Sequence, residues 1–171
     1  IELLAPFVKD AGSDATFTMR ANRHVYNFND NNTLGIESRV GKLNVVMTGD
    51  ADSDKNGFVY SRGSIKTRGG DILMHGGDSH SDSAWGSSYG ANLFNGTIDA
   101  GGGDITVRAS AKGYYQDGAT RLSGLSLITE NAGNISVSGV RDIDGTPDFT
   151  NRHGVGLFFN NLVVQTEDGD I

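Results

Sequence analysis

The sequence contains no cysteine, only 2 prolines among its 171 residues, and no excess of basic side chains. The absence of cysteine excludes disulfide bonds, thiolate metal sites and a cysteine nucleophile, but it does not select a cellular compartment. The formal net charge of −7 argues against a nucleic-acid partner, because such proteins present basic surfaces to phosphate. No apolar run approaches the roughly 20 residues that span a bilayer as a helix, so we predict no transmembrane segment.

What the chain has in abundance is glycine, with 25 residues, interleaved with the apolar side chains that make up 36% of the sequence. This combination is typical of a fold with many strands and many tight turns, not of a disordered chain. The sequence starts in mid-pattern with "IELLAPF". We therefore expect residues 1–171 to form one segment of a longer repeat protein.

A short pattern of glycine, an acid or amide and a branched apolar residue recurs along the chain, at "RVGK", "RGGD", "GGGD", "NAGN" and "EDGD". An apolar anchor precedes and follows each corner, at Ile36/Leu43, Ile65/Ile72, Ile98/Ile105, Leu127/Ile135 and Val164/Ile171. The spacing is seven residues except at Leu127/Ile135, where it is eight. Alternate residues around the anchors are apolar or small, which predicts strands with one buried face. Glycine suits a sharp corner because it adopts positive φ.

Three short strands per repeat and a corner of nearly fixed length predict a parallel β-helix of about five to six coils. A β-sandwich is the alternative, since it also contains many short strands. In the β-helix, Asp71, Asp104, Asn134 and Asp170 stack at equivalent positions. We expect them to bind backbone N–H groups, with Lys42 of the preceding coil relieving the repulsion between the acids.

The repeats differ in their insertions, which are residues 49–57, 76–90, 111–118 and 140–154. Each follows the first strand of its coil, so the insertions should leave one edge of the solenoid, and such edges often bind ligands. The candidate ligand-binding residues on this edge are Trp85, Tyr89, Tyr114, Tyr115, Asp117 and Phe149. Aromatic rings beside hydrogen-bonding groups suit sugars and protein interfaces. Alternatively, the rings fold back over the ends of the core.

The first insertion contains oxygen ligands at alternating positions, in Asp50, Asp52, Asp54 and Asn56. Calcium binds such ligands, although the loop departs from the EF-hand pattern and a solvated acidic turn is the alternative. We expect no other cofactor and assign no catalytic residue. Asn31 and Asn95 lie in N-x-[ST] sequons and are candidate glycosylation sites, whereas the sequon at Asn134 falls in a tight corner.

The segments "IELLAPFVKDAGSDATFTMRANRHV" and "SRVGKLNVVMTGDADSDKNGFVY" resemble repeats of two-partner-secretion exoproteins, the filamentous haemagglutinin-like and high-molecular-weight adhesins of Gram-negative bacteria. The resemblance implies a right-handed parallel β-helix, secreted through an outer-membrane partner and displayed at the bacterial surface. It also implies an adhesive, non-enzymatic role toward a host or matrix glycan or protein. The alternatives are a polysaccharide lyase or glycosidase on the same fold, and the shaft of a toxin-delivery exoprotein.

Overall fold

The computed structural model describes residues 1–28, 34–52, 57–77, 89–112, 119–142 and 157–171. These residues contain strands and turns and no helix, and hence no helix that could cross a membrane. The strands are β1 (Glu2–Leu3), β2 (Phe7–Lys9), β3 (Ala15–Arg20), β4 (Val25–Phe28), β5 (Leu34–Ser38), β6 (Leu43–Thr48), β7 (Val59–Arg62), β8 (Ser64–Lys66), β9 (Ile72–Gly76), β10 (Ala91–Asp99), β11 (Ile105–Lys112), β12 (Thr120–Ile128), β13 (Ile135–Asp142), β14 (Leu157–Asn160) and β15 (Val163–Gln165).

Every strand pairing among the described residues is parallel, and the strands form a 10-stranded and a 5-stranded sheet. The larger sheet has two faces, because the first half of β10 pairs with β7 and its second half with β8. Face A stacks β1, β4, β7, the first halves of β10 and β12, and β14. Face B stacks β2, β5, β8, the second halves of β10 and β12, and β15. Face C stacks β3, β6, β9, β11 and β13. This architecture is a parallel β-helix, so the predicted fold class is confirmed.

The core is a set of apolar columns that run along the helix axis, as the period of two in the sequence predicts. On face B, the predicted anchors Ile36, Ile65, Ile98, Leu127 and Val164 occupy one register position in successive coils. Ile36, Ile65, Ile98 and Leu127 are fully buried. Branched and linear aliphatic side chains fit this setting because each packs on its counterpart one coil away.

On face C, the column equivalent to Ile72 contains Val45, not the predicted Leu43. Leu43 instead pairs with Ala15, and its amide donates to the carbonyl of Thr67. The corner after Ile36 is therefore two residues longer than the corner from Ile65 to Ile72. The prediction of a seven-residue corner holds for Ile65/Ile72 and Ile98/Ile105 and is wrong for Ile36/Leu43.

The corners between faces B and C use glycine for two different reasons. Gly69 and Gly102 have φ of +90° and +107°, in the region that the sequence analysis expects. The next glycines, Gly70 and Gly103, lie so close together that a Cβ on Gly103 would overlap the carbonyl of Gly70. Glycine at this second position is needed for the close approach of one coil to the next.

A ladder of hydrogen bonds runs along the same corner. The Oδ1 atom of Asp71 accepts the amide of Asp104 at 3.0 Å, and Asp104 Oδ1 accepts the amide of Asn134 at 2.8 Å. Asn134 Oδ1 in turn accepts the amide of Asp170 at 3.2 Å. The predicted binding of backbone N–H groups is thus confirmed. The residue that precedes Asp71 in this ladder is Asn44, whose Oδ1 accepts the amide of Asp71 at 3.0 Å, and not Lys42.

Hydroxyl groups of buried side chains donate hydrogen bonds to carbonyls of these corners. Thr67 and Thr129 are almost completely buried, and their hydroxyls donate to the carbonyls of Gly70 at 2.6 Å and Gly103 at 2.7 Å. Ser38 bonds the carbonyl of Gly41 at 2.8 Å within its own corner, as Thr67 does with Gly70, whereas Thr129 reaches the corner of the preceding coil. A buried carbonyl without a partner is costly, so these side chains stabilise the turn that glycine permits.

Candidate functional site

Four insertions leave the β-helix at the edge between faces C and A. They follow β6, β9, β11 and β13 and precede β7, β10, β12 and β14. The strands on both sides are in register, with His75 paired to Arg108 before the insertions and Val59 paired to Ala91 after them. The described flanks therefore place the roots of all four insertions on one edge, as the sequence analysis predicts. We call this edge the insertion edge.

The second insertion has a closed base. A Cβ on Gly76 would overlap the carbonyl of Gly90, and a Cβ on Gly90 would overlap the carbonyl of Gly77. The two described ends of the insertion thus touch each other.

Most of the predicted ligand-binding residues, namely Trp85, Tyr114, Tyr115, Asp117 and Phe149, lie outside the described residues. The exception is Tyr89, which is only 6% exposed. The guanidinium carbon of Arg121 lies 5.4 Å from the centroid of its ring. This cation–π contact at the base of the second insertion gives Tyr89 a packing role.

The predicted calcium ligands are only partly described, because Asp54 and Asn56 lie outside the described residues. Asp50 is 6% exposed, with φ of +59°, and its amide donates to the carbonyl of Arg23. Asp52 is exposed. Within the described part of the chain no three acidic or histidine side chains form a group suited to a metal ion. The calcium site stays a prediction.

The sequons differ in their surroundings. Asn31 lies outside the described residues, whereas Asn95 is exposed, with φ of +52°, at the corner between faces A and B. Asn134 is committed to the ladder, since its Oδ1 accepts the amide of Asp170 and its Nδ2 donates to Asp104. Asn95 therefore stays a candidate glycosylation site, whereas both polar atoms of the Asn134 amide are already hydrogen-bonded within the corner.

Face A carries a cluster of aromatic rings that the sequence analysis did not identify. Tyr26 and Tyr60 are paired in register on β4 and β7, and their ring centroids are 5.9 Å apart. Phe28 stacks on Tyr60 at 5.7 Å with an interplanar angle of 21°. Phe94 of β10 meets Tyr60 edge to face at 5.0 Å. All four side chains are partly exposed, so the rings form an outward surface, which we call the aromatic face.

Two arginines flank the aromatic face. The guanidinium carbon of Arg62 lies 5.7 Å from the ring centroid of Phe94, and Arg121 covers Tyr89 as described above. Arg62 is paired in register with both Phe28 and Phe94 on the neighbouring strands. The insertion edge leads directly into this face, because the strands that follow the insertions are the strands of face A.

A hollow lies at the β1 end of the aromatic face. Its volume is about 220 Å³, and it is lined by Glu2, Leu4, Tyr26, Phe28 and Tyr60. The lining is mostly ring and aliphatic surface, with Glu2 as its one charged side chain among the described residues. Such a concave apolar surface with a few polar groups is the usual form of a small-ligand site.

The signal for the aromatic face was present in "VYNF", "VYSR" and "ANLF", where every second residue points outward. The inward residues Val25, Val59 and Ala91 and the outward Tyr26 and Tyr60 fall in one alternating pattern. The alternating pattern was used only to find buried residues, so the outward tyrosines were not assigned a role in the sequence analysis.

The fold and the site define a parallel β-helix protein with an aromatic face beside a variable edge. No family model, curated protein or solved structure matches the chain. The resemblance to two-partner-secretion adhesins therefore stays a prediction from the sequence.

Proposed function

We propose that the chain is an adhesive segment of a large secreted bacterial surface protein, and that it contributes to binding of a host or matrix glycan or protein. The observation that carries the proposal is the division of the molecule into a regular scaffold and one variable edge. Corners between faces B and C are held by glycine contacts and the side-chain ladder. The insertions all leave at the edge next to the aromatic face. Repeat proteins commonly bind through the face on which their insertions collect.

A parallel β-helix suits this role because each coil contacts only its neighbours, so the scaffold tolerates loops of different length without losing register. Aromatic and arginine side chains are enriched where proteins bind partners, and both occur on face A. The extracellular and bacterial setting, and an outer-membrane secretion partner, come from the sequence resemblance alone.

The closed base of the second insertion provides a direct test. Residues 78–88 are replaced by one glycine between Gly77 and Tyr89, which keeps the buried Tyr89 and the contact between Gly77 and Gly90 at the ends of the insertion. Binding of the purified chain to a glycan array and to immobilised matrix proteins is then compared with and without the insertion. The proposal predicts that the shortened chain keeps its β-sheet circular dichroism and melting temperature and binds the glycan or matrix protein measurably more weakly.

The matched control is Lys66→Ala, a change at an exposed side chain on face B that should leave binding intact. Absence of binding by the intact chain to every glycan and matrix protein contradicts the proposal. Turnover of any polysaccharide on the array also contradicts it and supports the lyase or glycosidase alternative.

A further inference from the structure

We propose that the hollow on face A binds one neutral pyranose residue of a glycan chain that runs along the β-helix axis. This inference rests on the proposed adhesive function and names the ligand class and its position. The site consists of Glu2, Tyr26, Phe28 and Tyr60, continued by Phe94 and Arg62.

The size of the hollow fits a single sugar ring. Its volume is about 220 Å³, below the roughly 300–1,000 Å³ of pockets that enclose whole drug-sized ligands. A single pyranose ring is a compact unit, whereas a peptide helix with its side chains is about 10–12 Å across. The hollow therefore selects a small, compact unit that is part of a longer ligand.

The chemistry of the lining favours a sugar over a purely apolar ligand. One face of a pyranose carries C–H groups, which pack on the rings of Tyr26, Phe28 and Tyr60. Its hydroxyls are hydrogen-bond donors, and the carboxylate of Glu2 accepts such bonds at the rim of the hollow. A ligand with no hydroxyl would leave the carboxylate without this partner.

The charge of the hollow favours a neutral sugar over an acidic one. Glu2 is the one charged residue that lines it in the described part of the chain, and the whole protein has a net charge of −7. A uronate or sulfated sugar in the hollow would bring two negative charges together. The preference for neutral sugars is therefore a property of the site that an experiment can measure.

The rest of the aromatic face indicates that the bound glycan runs along the axis of the β-helix. Tyr26, Tyr60 and Phe94 lie on three successive coils, with centroids 5.9 and 5.0 Å apart. Successive coils are about 4.8 Å apart, so a ligand that runs along the axis meets one ring after another. The second sugar then lies over Tyr60 and Phe94, beside the guanidinium of Arg62.

Isothermal titration and saturation-transfer NMR on the full chain test the site. The neutral probes are hexamers of β-linked glucose, xylose, mannose and N-acetylglucosamine, and the acidic probe is a hexamer of galacturonate. We expect at least one neutral hexamer to bind, with saturation transfer from tyrosine and phenylalanine ring protons. The galacturonate hexamer should bind at least tenfold more weakly.

Two variants locate the binding without disturbing the core. Glu2→Gln keeps the shape of an exposed side chain, removes its charge and should weaken neutral-hexamer binding about tenfold while reducing the discrimination against galacturonate. Phe28→Leu keeps an apolar side chain without a ring and should weaken binding by a similar factor. The control is Glu130→Gln, an exposed acid outside face A, which should change nothing.

The inference is overturned if no neutral hexamer binds, if galacturonate binds best, or if the Glu2 and Phe28 variants bind like the control. It is also overturned if the aromatic face mediates only self-association or capture of a protein. Its failure is distinct from that of the proposed function. Adhesion that depends on residues 78–88 but not on Glu2 or Phe28 removes the sugar site and leaves the adhesive function standing.

Discussion

The carboxylate of Asp71 accepts the backbone amide of Asp104, its counterpart one coil later, at 3.0 Å. Asp104 repeats the relationship toward Asn134, whose amide lies 2.8 Å from Asp104 Oδ1 and whose Nδ2 lies 3.2 Å from the same atom. Each side chain thus satisfies a donor of the next coil, so the ladder fixes the register of the corner. Acids and amides can alternate in it because both carry the carbonyl-type oxygen that the bond requires.

The first prediction concerns this ladder. Asp104→Ala removes the acceptor for two donors of Asn134 and should lower the free energy of unfolding by about 1 kcal/mol. Asp104→Asn keeps the oxygen and removes the negative charge beside Asp71, so it should be at least as stable as the wild type at low salt. Urea denaturation at low and high salt measures both effects. Ser136→Ala, at an exposed outward position of β13, is the control.

The second prediction separates the two uses of glycine at the turns. Gly103→Ala places a Cβ against the carbonyl of Gly70 and should cost about 2–3 kcal/mol. Gly12 has φ of +84° and open space around it, so Gly12→Ala should cost only about 1 kcal/mol of backbone strain. Equal losses in thermal or urea unfolding would show that coil spacing is not the constraint at Gly103.

The third prediction concerns the buried hydroxyls. Thr129→Val keeps the shape of the side chain and removes the hydrogen bond to the carbonyl of Gly103, which should cost about 1–2 kcal/mol. Thr129→Ser restores the donor and should recover part of the loss. Thr16→Val, at an exposed position of β3, provides the matched control in the same unfolding assay and should be close to neutral.

The fourth prediction concerns the apolar column of face C. Ile105 is fully buried between Ile72 and Ile135 at the same register position. Ile105→Ala should destabilise the chain by about 2–5 kcal/mol and Ile105→Val by about 1 kcal/mol, because the cavity grows with each carbon removed. Differential scanning calorimetry gives both values. A loss for alanine no larger than that for valine would contradict the placement of Ile105 in the core.

The sequence predicts the scaffold well because its constraints are local and repeated. Ile65, Ile98 and Leu127 are separated by similar intervals and share one buried position. The error at Leu43 arose because the glycine of "RVGK" resembles that of "RGGD", although the corner is two residues longer. The position expected for Lys42, one coil before Asp71, is occupied by Asn44, because the corner after Ile36 is two residues longer.

The candidate site is less predictable because it depends on which residues become neighbours in successive coils. Tyr26, Tyr60 and Phe94 are far apart in sequence, and the stacking of β4, β7 and β10 brings Tyr26 to 5.9 Å and Phe94 to 5.0 Å from Tyr60. The insertion edge, in contrast, follows from the order of strands and insertions alone.

The central claim is that the chain forms a β-helix in one register with all insertions leaving from one edge. Disulfide trapping tests this claim most directly. The chain has no cysteine of its own, so introduced pairs can be read without background. His75 and Arg108 are exposed and paired on adjacent coils at the roots of two insertions, where Cα atoms are about 4.8 Å apart and a disulfide can form. Ser138 pairs with Arg108 one coil further on.

The measurement is the rate of disulfide formation under mild oxidation in two double variants, followed by mass spectrometry of the cross-linked peptides. His75→Cys with Arg108→Cys should close rapidly, and His75→Cys with Ser138→Cys should not, because two coils separate the latter pair. Equal rates, or faster closure of the His75–Ser138 pair, would contradict the register and with it the common edge from which the insertions emerge.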